Sequence, residues 1–443
     1  MNRHYAMWRM ICLLCACLAL AACCAWNPGK MGGDVADLQN FPQDLRIYAN
    51  KAGADSPLLD AVSQAAHWEQ CKRLHFSPWQ AQKVSIGKEN AFSALNDGGY
   101  AGNLLPRSAA DWDALKQNSN QSAYPGRPVH GITVRATALR AAPTAMPRFN
   151  NPLAPGEGYP FDMWQYATLP LGMPLLMTHT AADGAWIFVE SALAAGWVAE
   201  QDLAEVDAAF MEQYRKPPLC AVLRDGVKLS VSGKIMALVG IGTLLPRMEN
   251  SLVLIPVRDA WGRVQAVSAE AEAGTVQNAP LPLLPENLAA IGNELMGQAY
   301  GWGGLYGNRD CSAMLRDVFI PFGIWLPRNS SAQAQAWAFA SLRSVPIDKK
   351  EEYILRHARP FATLLWLPGH IALYIGEYGG RAALFHDFWA IRTEVGGREG
   401  RYILGRTLIS GVRPGIELPD MPPGSDLLTR IQGMTVLQGM REQ

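Results

Sequence analysis

Cys311, His370 and His386 together supply a nucleophile, a base and an orienting group. Met314, Leu315, Val318 and Phe319 recur on one face until Pro321 and Gly323 stop the pattern, which predicts a helix opening at Cys311. A sulfur at a helix N-terminus faces unsatisfied N–H groups and the positive end of the macrodipole, which favours the thiolate and lowers the thiol pKa. A strand pattern opens at His370, with Ile371, Leu373 and Ile375 on one face and His370, Ala372 and Tyr374 on the other. A second strand, from about Arg381 to Phe388, carries His386. The turn between them decides whether the histidines meet. A two-residue Gly379-Gly380 turn puts them on opposite faces, whereas a five-residue loop from Gly376 to Gly380 sets His370 directly across from His386. Opposed residues have Cβ atoms roughly 4.5–5.5 Å apart, so the longer loop is the expectation: it lets one imidazole orient the other. A thiol, a base and an orienting group are the logic of thiol acyl transfer.

Around these residues stand Tyr300-Gly301-Trp302-Gly303-Gly304, Asp310-Cys311-Ser312 and Leu326-Pro327-Arg328-Asn329-Ser330 with Gln333. In order and approximate spacing this set resembles the catalytic domain of the NlpC/P60 cysteine peptidases, over about residues 288 to 411. The resemblance implies a papain-like fold and hydrolysis of the γ-D-glutamyl bond to a diamino acid in peptidoglycan stem peptides, with no cofactor. In those terms Cys311 is the nucleophile, His370 the general base and His386 its orienting residue. Tyr300 helps to stabilise the oxyanion, and Trp302, Asp310, Ser312, Asn329 and Ser330 line the substrate pocket. Each pocket residue also has a local reading: Trp302 as core, Asp310 as helix cap, Ser312 and Ser330 as partners of nearby backbone. Two departures stand out. Ala313 follows Cys311-Ser312 where the family usually has Gly, and Asn329 replaces an Asp usual in the related subgroup, removing a negative charge from the peptide site. No His-Glu-x-x-His or paired-cysteine spacing points to zinc.

At 443 residues the chain exceeds one compact core, and about two to four domains are expected. Basic and acidic residues balance at 39 each, so nothing demands nucleic acid. Ser56-Pro57 and the spacing of Leu58, Leu59, Val62, Ala65 and Ala66 open a small helical region over 56–126. Short β-type runs then fill 127–206, where Asp183-Gly184-Ala185-Trp186-Ile187-Phe188-Val189 and Gly196-Trp197-Val198 resemble closing strands of bacterial SH3 domains. The texture repeats over 207–284, ahead of the catalytic domain at 285–443. The expected architecture is therefore multidomain α+β: a papain-like domain behind two SH3-like barrels and a helical N-terminal region. In the subgroup this layout resembles, the first barrel helps wall off one end of the cleft. Here the Gly-rich, acidic and aromatic 155–162 loop is the candidate wall, favouring peptides with a free N-terminal L-Ala.

Arg3, His4 and Arg9 precede an apolar run from Ile11 to Ala22, which reads as a signal peptide over 1–22. Leu20-Ala21-Ala22-Cys23 resembles a bacterial lipobox, making Cys23 the lipidated anchor and 23–55 a tether. Cys24 rather than Asp follows, which by resemblance to bacterial sorting implies an exported lipoprotein of the outer membrane facing the periplasm. Beyond position 24 only Cys71, Cys220 and Cys311 remain, and spacing leaves a Cys71–Cys220 pairing open. Two competing readings are an acyltransferase on the same fold and a non-catalytic cell-wall-binding lipoprotein.

Overall fold

A computed structural model describes residues 35–95, 98–249 and 252–438. The signal segment and Cys23 lie outside these residues. The first finding corrects the expected tether. From Val35 the chain is folded, with helices at Ala36–Asn40 and Leu45–Ala52. Leu45, Tyr48 and Ala49 fall at helical spacing and enter the same core as Met314, Leu315 and Phe385. Asp44 caps the second helix by accepting the Arg46 N–H, and takes a 2.7 Å bond from the Asn293 amide. Composition rich in Gly, Asn and Asp conceals a few apolar residues, Phe41 and Val35 among them, that suffice because existing cores receive them.

The helical region continues with Ala61–His75, capped by Asp60, and the turn Ser77–Trp79. Trp79 donates its Nε1–H to the Gly131 carbonyl at 2.8 Å, tying this region to the β-structure that follows. That structure is a seven-stranded antiparallel sheet ordered Gln165–Leu169, Thr137–Arg140, Ala195–Ala199, Trp186–Ser191, Pro174–Thr180, Val129–Thr133, Leu203–Glu205. Next come a four-stranded sheet and a three-stranded sheet packed around Leu229, Val253 and Ile255. Cys220 is buried in that core and Cys71 in a separate cluster with Trp79 and Phe210; both are free thiols, so they do not pair.

The C-terminal domain sets helices Pro285–Glu294 and Cys311–Phe319 against a six-stranded antiparallel sheet. Its strand order is Phe339–Ser341, Gly433–Val436, Thr363–Leu367, His370–Tyr378, Arg381–Val395, Arg398–Ser410. The molecule is thus multidomain α+β with a papain-like C-terminal domain. The hairpin carrying the histidines departs from the expected five-residue loop. Tyr378 pairs with Arg381, so Gly379-Gly380 forms a tight turn, with φ of 59° and 78° suiting a primed hairpin turn. A bulge between Tyr374 and Gly376 then shifts the register, giving Tyr374 opposite Leu384 and Leu373 opposite Phe385. One extra residue reverses the parity, and this returns His370 to the face that carries His386.

Arg309 locks the second barrel to this domain. Its guanidinium grips Asp225 at 2.6 and 2.9 Å, bonds Asp317 at 2.7 Å and donates to the Ile241 carbonyl at 3.0 Å. Arg309→Ala leaves the Asp225 carboxylate at the joint with only the Ile241 N–H and the Gln298 amide and no counter-charge, while Asp317 keeps Arg316. A loss of about 3 kcal/mol is expected, the lower end for breaking a buried pair. A lowered thermal unfolding midpoint checks it, and an unchanged midpoint would refute it.

Candidate active site

Asp310 organises the start of the Cys311–Phe319 helix. It caps the helix by accepting the Ala313 N–H at 2.9 Å, and it takes bonds from the Gly303 N–H at 3.0 Å and the Ser312 hydroxyl at 3.0 Å. Arg328 clamps it at 2.6 and 3.1 Å and also donates to Ser312 Oγ at 3.1 Å. Burial alone would raise the Asp310 pKa, but Arg328 and these hydrogen bonds outweigh it and hold the carboxyl below its usual range. Gln333 fastens the Arg328 loop by donating to the carbonyls of Ser312 and Pro327, both at 2.8 Å.

This cap changes the expected state of Cys311. Cys311 is 6% exposed, and burial pushes the thiol up to about 12, with the Asp310 charge adding to the effect. The Ile371 N–H and Arg328 act in the opposite direction and are outweighed. The lowered thiol pKa expected from the helix N-terminus is therefore corrected: the resting group is a thiol, because burial disfavours a charged sulfur and the Asp310 carboxylate adds a negative charge beside it. Ile371, one residue beyond His370, packs in the same buried cluster as Cys311.

His370 and His386 meet ring to ring, with Nε2 of the first 2.8 Å from Nδ1 of the second. Nε2 of His386 lies 3.0 Å from Ser410 Oγ. Phe388 stacks on His386 at 5.0 Å between centroids and approaches His370 at 5.3 Å. Burial depresses both imidazoles, His370 to about 3 and His386 well below its ordinary value, so both rings are neutral at rest.

Tyr300 is a buried phenol whose pKa is raised well above normal by burial, then by Cys311 and Asp310, and it stays a hydrogen-bond donor. Its ring contacts Trp389 at 5.5 Å. Trp302 contacts Phe161 at 5.3 Å, and Phe161 also approaches Trp389 at 5.7 Å and Tyr300 at 6.4 Å. Phe161 belongs to the 155–162 loop, so this loop reaches beyond its own sheet to the aromatic group beside Cys311. Asp162 anchors it through a buried 3.0 Å pair with Arg140. The adjoining strand docks on the Gly303-Gly304 turn: Gln165 donates to the Gly303 carbonyl at 3.0 Å and Thr168 to the Gly304 carbonyl at 2.9 Å. Both glycines have positive φ, and a Cβ on either would lie 2.2 Å from an atom of that strand. Glycine is required there by the neighbouring domain.

Asn329 is exposed and its side chain caps the Ser330–Ala334 helix, accepting the Ala332 N–H at 2.9 Å. Ser330 opens that helix and is half-buried. Three site neighbours carry no motif in the sequence: Trp389, Ser410 and Asp387. Asp387 is 1% exposed with both carboxylate oxygens unpartnered. Burial, then the Asp310 charge, raise its pKa well above the usual range, so it is protonated.

Residues 297–387 match the model of the NlpC/P60 family, a span that holds all three chemical groups. The chain carries an NlpC/P60 domain. Residues 147–199 match an SH3 domain of the SH3b1 type, and residues 6–124 the NLPC_P60 N-terminal stabilising domain. An NlpC/P60 endopeptidase from Photobacterium damselae subsp. piscicida superposes with a TM-score of 0.83 at 25% identity, over 90% of this chain and 97% of that one. An NlpC/P60 family protein from Bacillus cereus gives a TM-score of 0.46 at 16% identity, over 70% of this chain and 100% of that one. No curated protein matches the chain. The NlpC/P60 domain and the Photobacterium neighbour support a cell-wall peptidase activity.

Proposed function

We propose that the protein is a cysteine endopeptidase that hydrolyses the γ-D-glutamyl to diamino acid bond of peptidoglycan stem peptides. The observation that carries this reading is the buried 2.8 Å contact of two neutral imidazoles, His370 and His386, in the domain that also sets Cys311 at the start of a helix. His370 takes the thiol proton as the substrate carbonyl arrives, and the sulfur attacks the carbonyl carbon. Tyr300 donates to the oxygen that becomes negative. Collapse breaks the C–N bond, and His370 returns the proton to the departing amine of the diamino acid. Water, deprotonated by His370, then cleaves the thioester, releases the glutamyl carboxylate and restores the thiol.

The wall that Phe161 brings to Tyr300, Trp302 and Trp389 supports a preference for short peptides with a free N-terminal L-Ala over glycan-linked wall. We place the enzyme in the cell envelope as an exported lipoprotein, anchored through Cys23 and facing the periplasm. Digestion of defined muropeptides, with products weighed by mass spectrometry, tests the bond. Products one water heavier than the substrate in sum are expected, whereas transfer of the acyl group to an added amine would mark the acyltransferase alternative. The free tripeptide L-Ala-γ-D-Glu-diamino acid should turn over about tenfold or more faster than its N-acylated form. Equal rates on both would remove the wall from the specificity argument.

A further inference from the structure

We infer that Ser410 is a positioning residue that sets which nitrogen of each imidazole carries its hydrogen. The inference rests on the proposed roles of Cys311, His370 and His386. A histidine is an ambiguous orienting group, because a neutral imidazole has one N–H and one lone pair and either nitrogen can hold the hydrogen. The 2.8 Å contact between His370 Nε2 and His386 Nδ1 therefore has two hydrogen patterns. In the first, His386 carries its hydrogen on Nε2, accepts at Nδ1 from His370 Nε2–H, and leaves a lone pair on His370 Nδ1. In the second, His386 donates from Nδ1, and the His370 hydrogen is forced onto its own Nδ1. Only the first leaves His370 a basic nitrogen free to take a thiol proton.

Ser410 chooses between them. Its hydroxyl donates to the Gly411 carbonyl at 2.8 Å, and that carbonyl can only accept. The hydroxyl oxygen therefore turns a lone pair to His386 Nε2, 3.0 Å away, which must donate. The Gly411 N–H is held in turn by Asp37 Oδ2 at 2.8 Å, so the carbonyl that directs the hydroxyl belongs to a fixed peptide. Ser410 and His386 are each fully buried, which excludes solvent as a substitute partner. Ser410 stands on the last strand, beside His386 on the same face: Leu384 pairs with Ser410 and His386 with Leu408. The determinant thus comes from a third strand, 24 residues downstream of His386.

Ser410→Ala removes the acceptor from a buried His386 Nε2–H and the donor from the Gly411 carbonyl, so the first pattern loses its support and the second becomes competitive. A fall in kcat of about 10–100-fold with KM little changed is expected, the size seen when partners of a ligating histidine are removed elsewhere. Ser410→Thr keeps the hydroxyl and should return kcat to within a few-fold of the native enzyme. Nitrogen-15 NMR of the imidazoles reads the pattern without substrate: the native protein should show His386 protonated on Nε2, and Ser410→Ala should show loss or mixing of that signal. Two results would overturn the inference: a native His386 protonated on Nδ1, or Ser410→Ala with native kcat. A native enzyme that cleaves no muropeptide but shows the Nε2-protonated form would instead count against the proposed reaction. Should Ser410→Ala fail to fold, the native spectrum and the threonine variant still decide.

Discussion

Cys311→Ala is expected to lower kcat/KM on a muropeptide by a factor on the order of 10⁴–10⁶, the range in which removal of a nucleophile leaves only binding and oxyanion contacts. The sulfur sits inside a packed cluster with Met314, Leu315 and Ile371, yet the change removes one atom and leaves the Asp310 cap intact. The thermal midpoint should therefore move by no more than a few degrees. Steady-state kinetics and a thermal melt on the same preparation separate a lost nucleophile from a lost fold. Alkylation of the native thiol should abolish activity, whereas chelators should leave it unchanged. Turnover retained by the alanine variant, or the reverse inhibitor pattern, would remove Cys311 from the mechanism.

The legibility of this site varies with the range of the interactions that build it. The Cys311 helix is readable because its apolar face recurs locally, and the His370 strand because its faces alternate. The register joining the histidines is not. Ile375 continues the alternation of Ile371 and Leu373, and nothing in its side chain marks it as the extra residue of the bulge. A tight Gly379-Gly380 turn, read alone, separates the two rings; the bulge reunites them, and pairing energy across a whole hairpin decides such a feature. The state of the thiol is hidden for a related reason. A helix N-terminus is a local feature, but burial and the Asp310 carboxylate that opposes it are set by tertiary packing. Asn329 illustrates the converse, since its motif position suggested a substrate contact while its side chain closes a local helix cap. Ser410 and Asp387 have no signature at all. The 155–162 loop was recognisable as a protruding segment, but its pairing with Tyr300, Trp302 and Trp389 depends on how the first barrel docks.

His370→Ala is expected to lower kcat by about 10²–10⁴-fold, the span attributed to one positioned general base. The loss should be near the upper end because the resting proton lies on sulfur: burial, with Asp310, pushes Cys311 up to about 12, and burial, with Arg430, holds His370 down to about 3. No ion pair waits for substrate, so a group must accept the proton during attack. The same shifts set the pH behaviour. His370 keeps its lone pair down to about pH 3, so the acid limb of kcat/KM in the free enzyme should lie well below the ordinary histidine value of 6.5. Stability moves in the same window. The unfolded chain binds a proton on His370 near its ordinary value, the folded chain only near 3, and between them the unfolded state holds more protons. Stability is therefore lost as pH falls from about 6.5 towards 3, and circular dichroism at each pH must separate unfolding from titration. The rate of Cys311 alkylation should keep climbing as pH rises above neutrality. An alkylation rate already level below neutral pH, or a His370→Ala variant retaining more than about one-tenth of native kcat, would show that the thiol is activated before substrate arrives and by another group.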